Sequence, residues 1–143
     1  MNRARILSCV LFAFLANGTF TFAASWKRAD IYLLDWNVYP NRRVSAEALR
    51  HPAKGPMSQV FHAVTVCDPQ QVEQVVRMLD LAALLDIDGQ PLDARLLVDL
   101  FDTSNHRVSF YASGSSLRTL DNRKGHWIDQ HFRDYFQRIA KKT

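Results

Sequence analysis

The sequence predicts a single α+β domain, an antiparallel or mixed sheet of about four to five strands with two main helices packed on one face. Three observations carry this. Ala29–Val38 alternates, with Tyr32, Leu34, Trp36 and Val38 on one face and Ile31, Leu33, Asp35 and Asn37 on the other, the period of a half-buried strand. Val72, Val75, Val76, Leu79, Ala82 and Ala83 recur at three- and four-residue spacing, as do Phe132, Tyr135, Phe136 and Ile139; each set makes one apolar helical stripe. No Pro/Gly/Ser-rich linker and no internal repeat divides residues 24–143, a length that closes one core.

The elements follow in order. Pro40-Asn41 ends the first strand, and Ser45–Arg50 makes a short helix stopped by His51-Pro52. Gln59–Cys67, rich in Val and Phe, is a second strand. Asp68-Pro69-Gln70-Gln71 opens a helix: Asp68 caps, Pro69 suits the first helical position and Gln71 completes a capping box. This helix is expected to reach about Leu85 before Asp88-Gly89 turns the chain. Ala94–Asp102 and Arg107–Ser113 form a hairpin around Thr103–His106, Leu117–Leu120 adds a further strand, and Asn122–Gly125 reads as a turn. Asp129 caps the last helix, which runs to about Ala140; Lys141 and Lys142 suit its negative end.

Residues 1–23 read as a secretory signal peptide. Arg3 and Arg5 form its positive start, Ile6–Leu15 its apolar stretch, and Thr21-Phe22-Ala23 offers small residues for cleavage after Ala23. The apolar stretch is shorter than the roughly 20 residues a membrane span needs. The expected mature protein is periplasmic or secreted, with no membrane span. Its remaining cysteine, Cys67, precludes an internal disulfide, so stability must come from the core. Placed at the end of an apolar strand, Cys67 is expected to be buried and inert.

The formal net charge is +4. Within residues 24–103 there are 8 Lys/Arg against 11 Asp/Glu, and within 104–143 there are 8 against 3. The second part is expected to be a solvated surface with a basic helix end, or else a basic face that docks an acidic partner. No nucleic-acid motif accompanies it.

The chain carries no nucleophile elbow, Walker loop or HExxH motif. His126 and His131 do not share a helical face, and no metal or cofactor is expected. Asp86–Gly89 resembles the opening of a calcium loop but has Arg95 where that loop needs Glu. His62 and Cys67 stand an odd number of residues apart on one strand, hence on opposite faces. Asp99 is expected to face solvent or to pair with Arg107 across the hairpin.

Ala112-Ser113-Gly114-Ser115-Ser116 resembles, over these residues, the Ser-Gly loop that periplasmic C-type lysozyme inhibitors insert into their target. Those inhibitors are β-barrels, and the two helices set this chain apart from them. The expected function is that of an exported binding or inhibitor protein, of the immunity type, which blocks a cell-envelope-attacking hydrolase by steric occlusion. The expected contacts are Ser113, Gly114, Ser115, Ser116, Arg118, Arg123, Lys124, His126 and Trp127, with Trp127 expected to pack largely on the core. The alternatives are a small envelope enzyme or ligand-binding domain with a pocket between sheet and helices, marked by Asp99, a His and Tyr111 together, and a structural subunit of an envelope complex.

Overall fold

The computed structural model of the chain describes residues 25–52 and 54–142. The expected signal peptide lies outside the described residues. Strands β1 (Trp26–Leu34), β2 (Phe61–Val66), β3 (Leu85–Asp86), β4 (Leu96–Asp102), β5 (Arg107–Ala112), β6 (Ser116–Thr119) and β7 (Lys124–Trp127) form one sheet in the order β2-β1-β4-β5-β6-β7-β3. Every neighbouring pair is antiparallel. Helices α1 (Ala46–Arg50), α2 (Pro69–Leu79) and α3 (Gln130–Ala140) complete the fold.

The architecture is therefore α+β with an antiparallel sheet, but seven strands replace the expected four to five. Two strands were hidden. Asn122 adopts a left-handed backbone (φ 59°) in a tight turn closed by its N–H on Thr119 O, so a strand resumes at Lys124 where a turn was expected. The expected long helix stops at Leu79, where Asp80 turns left-handed (φ 48°) and donates its N–H to Arg77 O. A 3-10 turn over Leu81–Ala83 follows, and Leu85 and Asp86 then pair with Gly125 and Lys124. The first strand begins earlier, at Trp26, and gives way after Leu34 to a turn in which Val38 N–H reaches Asp35 O at 3.1 Å.

Both long helices cover one face of the sheet. Val72, Val75 and Leu79 of α2 and Phe132, Phe136 and Ala140 of α3 share a core with Ile31, Leu33, Val98, Leu100, Phe110 and Leu117. Their caps form as expected: Asp68 Oδ1 accepts from Gln71 N at 3.0 Å, and Asp129 Oδ1 from Phe132 N at 2.8 Å. Because β2 and β3 lie at opposite edges, α2 and the turn after it carry the chain across this face.

The other face is covered in part by α1 and the segment leading into β2. Leu49 of α1 packs with Leu34, Ala94, Leu97 and Tyr111. Lying between two covered faces, β4 buries Leu96 through Leu100 without alternation.

Candidate binding surface at one end of the sheet

The turn between β5 and β6 is built by one serine. Ser113 Oγ accepts from the N–H groups of both Ser115 and Ser116 at 3.2 Å, and Ser113 N–H donates to Ser116 O at 2.9 Å. Ser113 and Ser116 are buried by this role, which leaves Gly114 and Ser115 as the exposed tip. Arg133 of α3 donates to Gly114 O, and Trp36 Nε1 donates to Arg133 O at 3.1 Å. Turn, helix and the segment after β1 are thus clamped together.

Between them opens a groove of about 750 Å³, lined by Trp36, Tyr39, Asp93, Arg95, Ser113, Gly114, Ser115, Arg133 and Gln137 among others. Arg95 is nearly buried, held by Asp93 at 3.0 Å and by Val38 O. Its guanidinium lies 5.7 Å from the Tyr39 ring centroid. Tyr39 is itself 83% exposed. The groove offers planar polar groups and aromatic edges, which suits recognition of a polar partner surface.

Trp127 stands beside this end of the sheet. It pairs with Ser116 across the β6–β7 ladder, and Ile128 N–H donates to Ser115 O at 2.9 Å. The expectation that Trp127 packs on the core is overturned, since it is 82% exposed. Strand alternation explains the reversal. Gly125 and Trp127 point to the face away from α2 and α3, and α1 does not extend over β7. Leu85, opposite Gly125 on this same face, is 69% exposed. Gly125 is required there, because a Cβ would come within 2.8 Å of Leu117 O.

The remaining expected contacts do not join this surface. Arg123 and Lys124 sit at the opposite end of β6 and β7, roughly 10 Å along the strands. Lys124 Nζ meets Asp86 at 2.8 Å, tying down β3. Arg118 donates to Gln90 O at 2.9 Å and anchors the loop before β4. His126 points toward the long helices, its Nε2 lying 2.8 Å from Leu79 O at the end of α2. Tyr39, Arg95 and Arg133, which the sequence reading did not select, take their place. Tyr39 follows a strand that ends earlier than expected, Arg95 sits beside an apolar run, and Arg133 reads as an ordinary polar position on an amphipathic helix.

A second polar group lies on the face that α1 covers. Asp99, expected to face solvent or Arg107, is 1% exposed and accepts two hydrogen bonds from Arg50. Ser109, its register partner on β5, donates to it at 2.6 Å and accepts from Arg50 Nη2 at 3.0 Å. The hydrogen bond to Asp99 strengthens the hold of the Arg50 guanidinium on its proton. Burial first, then the charges of Asp30 and Asp99, push the nearby Tyr32 phenol upward. Tyr111 does not join Asp99: its hydroxyl donates to Asn122 Oδ1 and accepts from Leu92 N–H at 3.2 Å. The arrangement anchors α1 to the sheet through Asp99 and Ser109.

Among the described residues there is no group of three or more His, Cys, Asp or Glu side chains that could hold a metal ion, and no helix is long and apolar enough to cross a membrane. Cys67 is exposed, which corrects the expectation that it is buried. It follows the last strand residue, Val66, and precedes the exposed cap Asp68. Comparison with protein-family models, with curated proteins and with solved structures finds no match.

Proposed function

We propose that this is an exported protein-binding domain of the inhibitor type, and that its binding surface is the end of the sheet formed by Gly114, Ser115, Tyr39 and Trp127. The observation that carries this reading is the exposure of Trp127. A tryptophan on a regular strand that leaves most of its surface in water exposes apolar area that a folded domain normally covers. Aromatic side chains of this kind are the usual anchors of protein interfaces. The Ser113–Ser116 turn supports the same reading, because its internal hydrogen bonds hold the exposed tip in one shape before any partner arrives.

The mechanism is steric. A preformed turn flanked by two aromatic side chains fits over an active-site cleft and occludes it, with no chemical step required. The partner class is a hydrolase that attacks the cell envelope, and the setting is the periplasm or cell exterior. The setting is read from the leader-like residues 1–23, and the partner class from the resemblance of Ala112–Ser116 to the Ser-Gly loop of lysozyme inhibitors. Basic residues outside the surface, Arg123 among them, act on encounter rate rather than on the final contacts.

The test is capture and inhibition. The tagged protein is used to retain envelope hydrolases from periplasmic extract, and the retained hydrolase is assayed with and without added protein. Stoichiometric loss of lytic activity, abolished by Trp127→Ser and by Ser115→Glu, is the expected result. A hydrolase retained equally by both variants, or retained while fully active, would sink the proposal. The groove beside Arg95 favours one other reading, a small polar ligand held between Tyr39 and Arg133. That reading predicts loss of ligand binding in Arg95→Met with Trp127→Ser unaffected.

A further inference from the structure

We propose that β2 is a docking edge for a second copy of this chain, so that two sheets join into one across a two-fold axis at Ala63. The ladder determines which backbone groups are free to do this. Asp35 N–H donates to Val60 O at 3.0 Å, and the register continues with Leu33 opposite His62, Ile31 opposite Val64 and Ala29 opposite Val66. Hydrogen-bonded and non-hydrogen-bonded pairs alternate along an antiparallel ladder. His62, Val64 and Val66 therefore bond to β1, and Phe61, Ala63 and Thr65 direct their N–H and C=O groups outward. Among the described residues, no backbone hydrogen bond from a turn or loop reaches these three residues.

Edge strands are ordinarily blunted by charge, proline, a bulge or shortness. Phe61–Val66 has no Lys, Arg, Asp, Glu or Pro, and its pairing with β1 runs without a register shift. Ala63 and Thr65 are exposed, so a second strand has access. The opposite edge differs in length and charge. It is β3, two residues long, and it carries Asp86, paired with Lys124 of β7.

This asymmetry selects the partner. Pairing β2 of one copy with β3 of the next would build an open chain of molecules, but β3 is too short to support it. Pairing β2 with β2 closes a dimer in which each copy presents the same patch. The sequence of the strand suits self-pairing in antiparallel register. Ala63 meets the partner's Ala63, so the crossing point holds two small side chains. Phe61 meets the partner's Thr65, and His62 meets the partner's Val64, with no like charges opposed. The dimer leaves Trp127 untouched, since β7 lies five strands away in the sheet order. The pairing is independent of the function proposed above.

Analytical ultracentrifugation of the purified protein over a concentration series up to the millimolar range tests it. The expected result is a reversible monomer–dimer equilibrium with no larger species. Ala63→Lys and Ala63→Glu each place like charges across the two-fold axis, and each should weaken the dimer by about fivefold or more. Neither should alter the thermal midpoint at low concentration, since position 63 is exposed. An equimolar mixture of the two variants should restore dimers, now heterodimers. A monomer throughout the series, a dimer indifferent to both substitutions, or a mixture that fails to re-associate would overturn the proposal.

Discussion

Arg50 of α1 grips Asp99 of β4 through both carboxylate oxygens, Nε to Oδ2 at 2.8 Å and Nη2 to Oδ1 at 2.7 Å. The pair joins the shortest helix to the most buried strand. A two-pronged guanidinium–carboxylate contact fixes orientation as well as distance, so a helix of five residues is held in one place on the sheet.

Removing one partner should therefore be costly. Asp99→Ala leaves the Arg50 guanidinium on the covered face with only the exposed Glu47 as a carboxylate partner, and unfolding free energy should fall by about 3 kcal/mol. The double replacement Arg50→Met with Asp99→Leu removes both charges and should recover most of that loss. Denaturant titration of the three variants measures the difference. Equal losses in Asp99→Ala and the double variant would show that packing, rather than the stranded charge, dominates.

Phe136 of α3 is fully buried against Phe132 and Tyr135, with ring centroids 4.8 and 5.1 Å away. Phe136→Ala should destabilise the fold by about 3–5 kcal/mol. An unchanged denaturation midpoint would mean that α3 is not docked in solution.

Trp127 should be the tryptophan most open to solvent. Trp26 and Trp36 are partly buried, and the Trp36 indole N–H is engaged by Arg133 O. Iodide should quench the native protein strongly and the Trp127→Phe variant weakly. Stability should change by no more than about 0.5 kcal/mol, as for an exposed position. Equal quenching in both proteins would place Trp127 under cover.

The exposed Cys67 thiol should react with a thiol reagent in the native protein at a rate close to that in denaturant. Slow native labelling that accelerates on unfolding would show that the residue is shielded.

Asp121 supplies the pH dependence. The Thr119 hydroxyl, at 2.6 Å, and then the Arg123 backbone N–H, at 3.0 Å, hold its carboxyl below the usual carboxylate range. A carboxyl whose folded value lies below its unfolded one adds stability at pH above the unfolded value. That contribution is lost as pH falls through the folded value. Thr119→Val removes the larger cause and should move the Asp121 midpoint upward in a carbon-detected titration. An unmoved midpoint would exclude the hydroxyl as the cause.

Much of the local structure was legible in residue order. Both helix caps, the β4–β5 hairpin and the apolar stripe of α3 formed where spacing and capping chemistry placed them. These features depend on residues a few positions apart. The two strands that were missed, β3 and β7, are short; β7 is held by β6, and β3 by β7. Leu85 and Asp86 become a strand only because Lys124 and Gly125 lie beside them, some forty residues later in the chain. Asp80 and Asn122, which redirect the backbone into these strands, are ordinary polar residues in sequence and left-handed only in the fold.

The candidate surface divides in the same way. By itself the sequence determined the α+β class, the capped helices and the Ser-Gly turn, because each is written in neighbouring residues. Tertiary structure alone decided that Asp99 meets Arg50 across forty-nine positions, that Tyr39 and Arg95 share a groove with Ser115, and that Trp127 faces water. The physical reason is that burial belongs to the assembled sheet. Alternation assigns a side chain to a face, but only the helices and segments that cover that face determine whether it is core or contact.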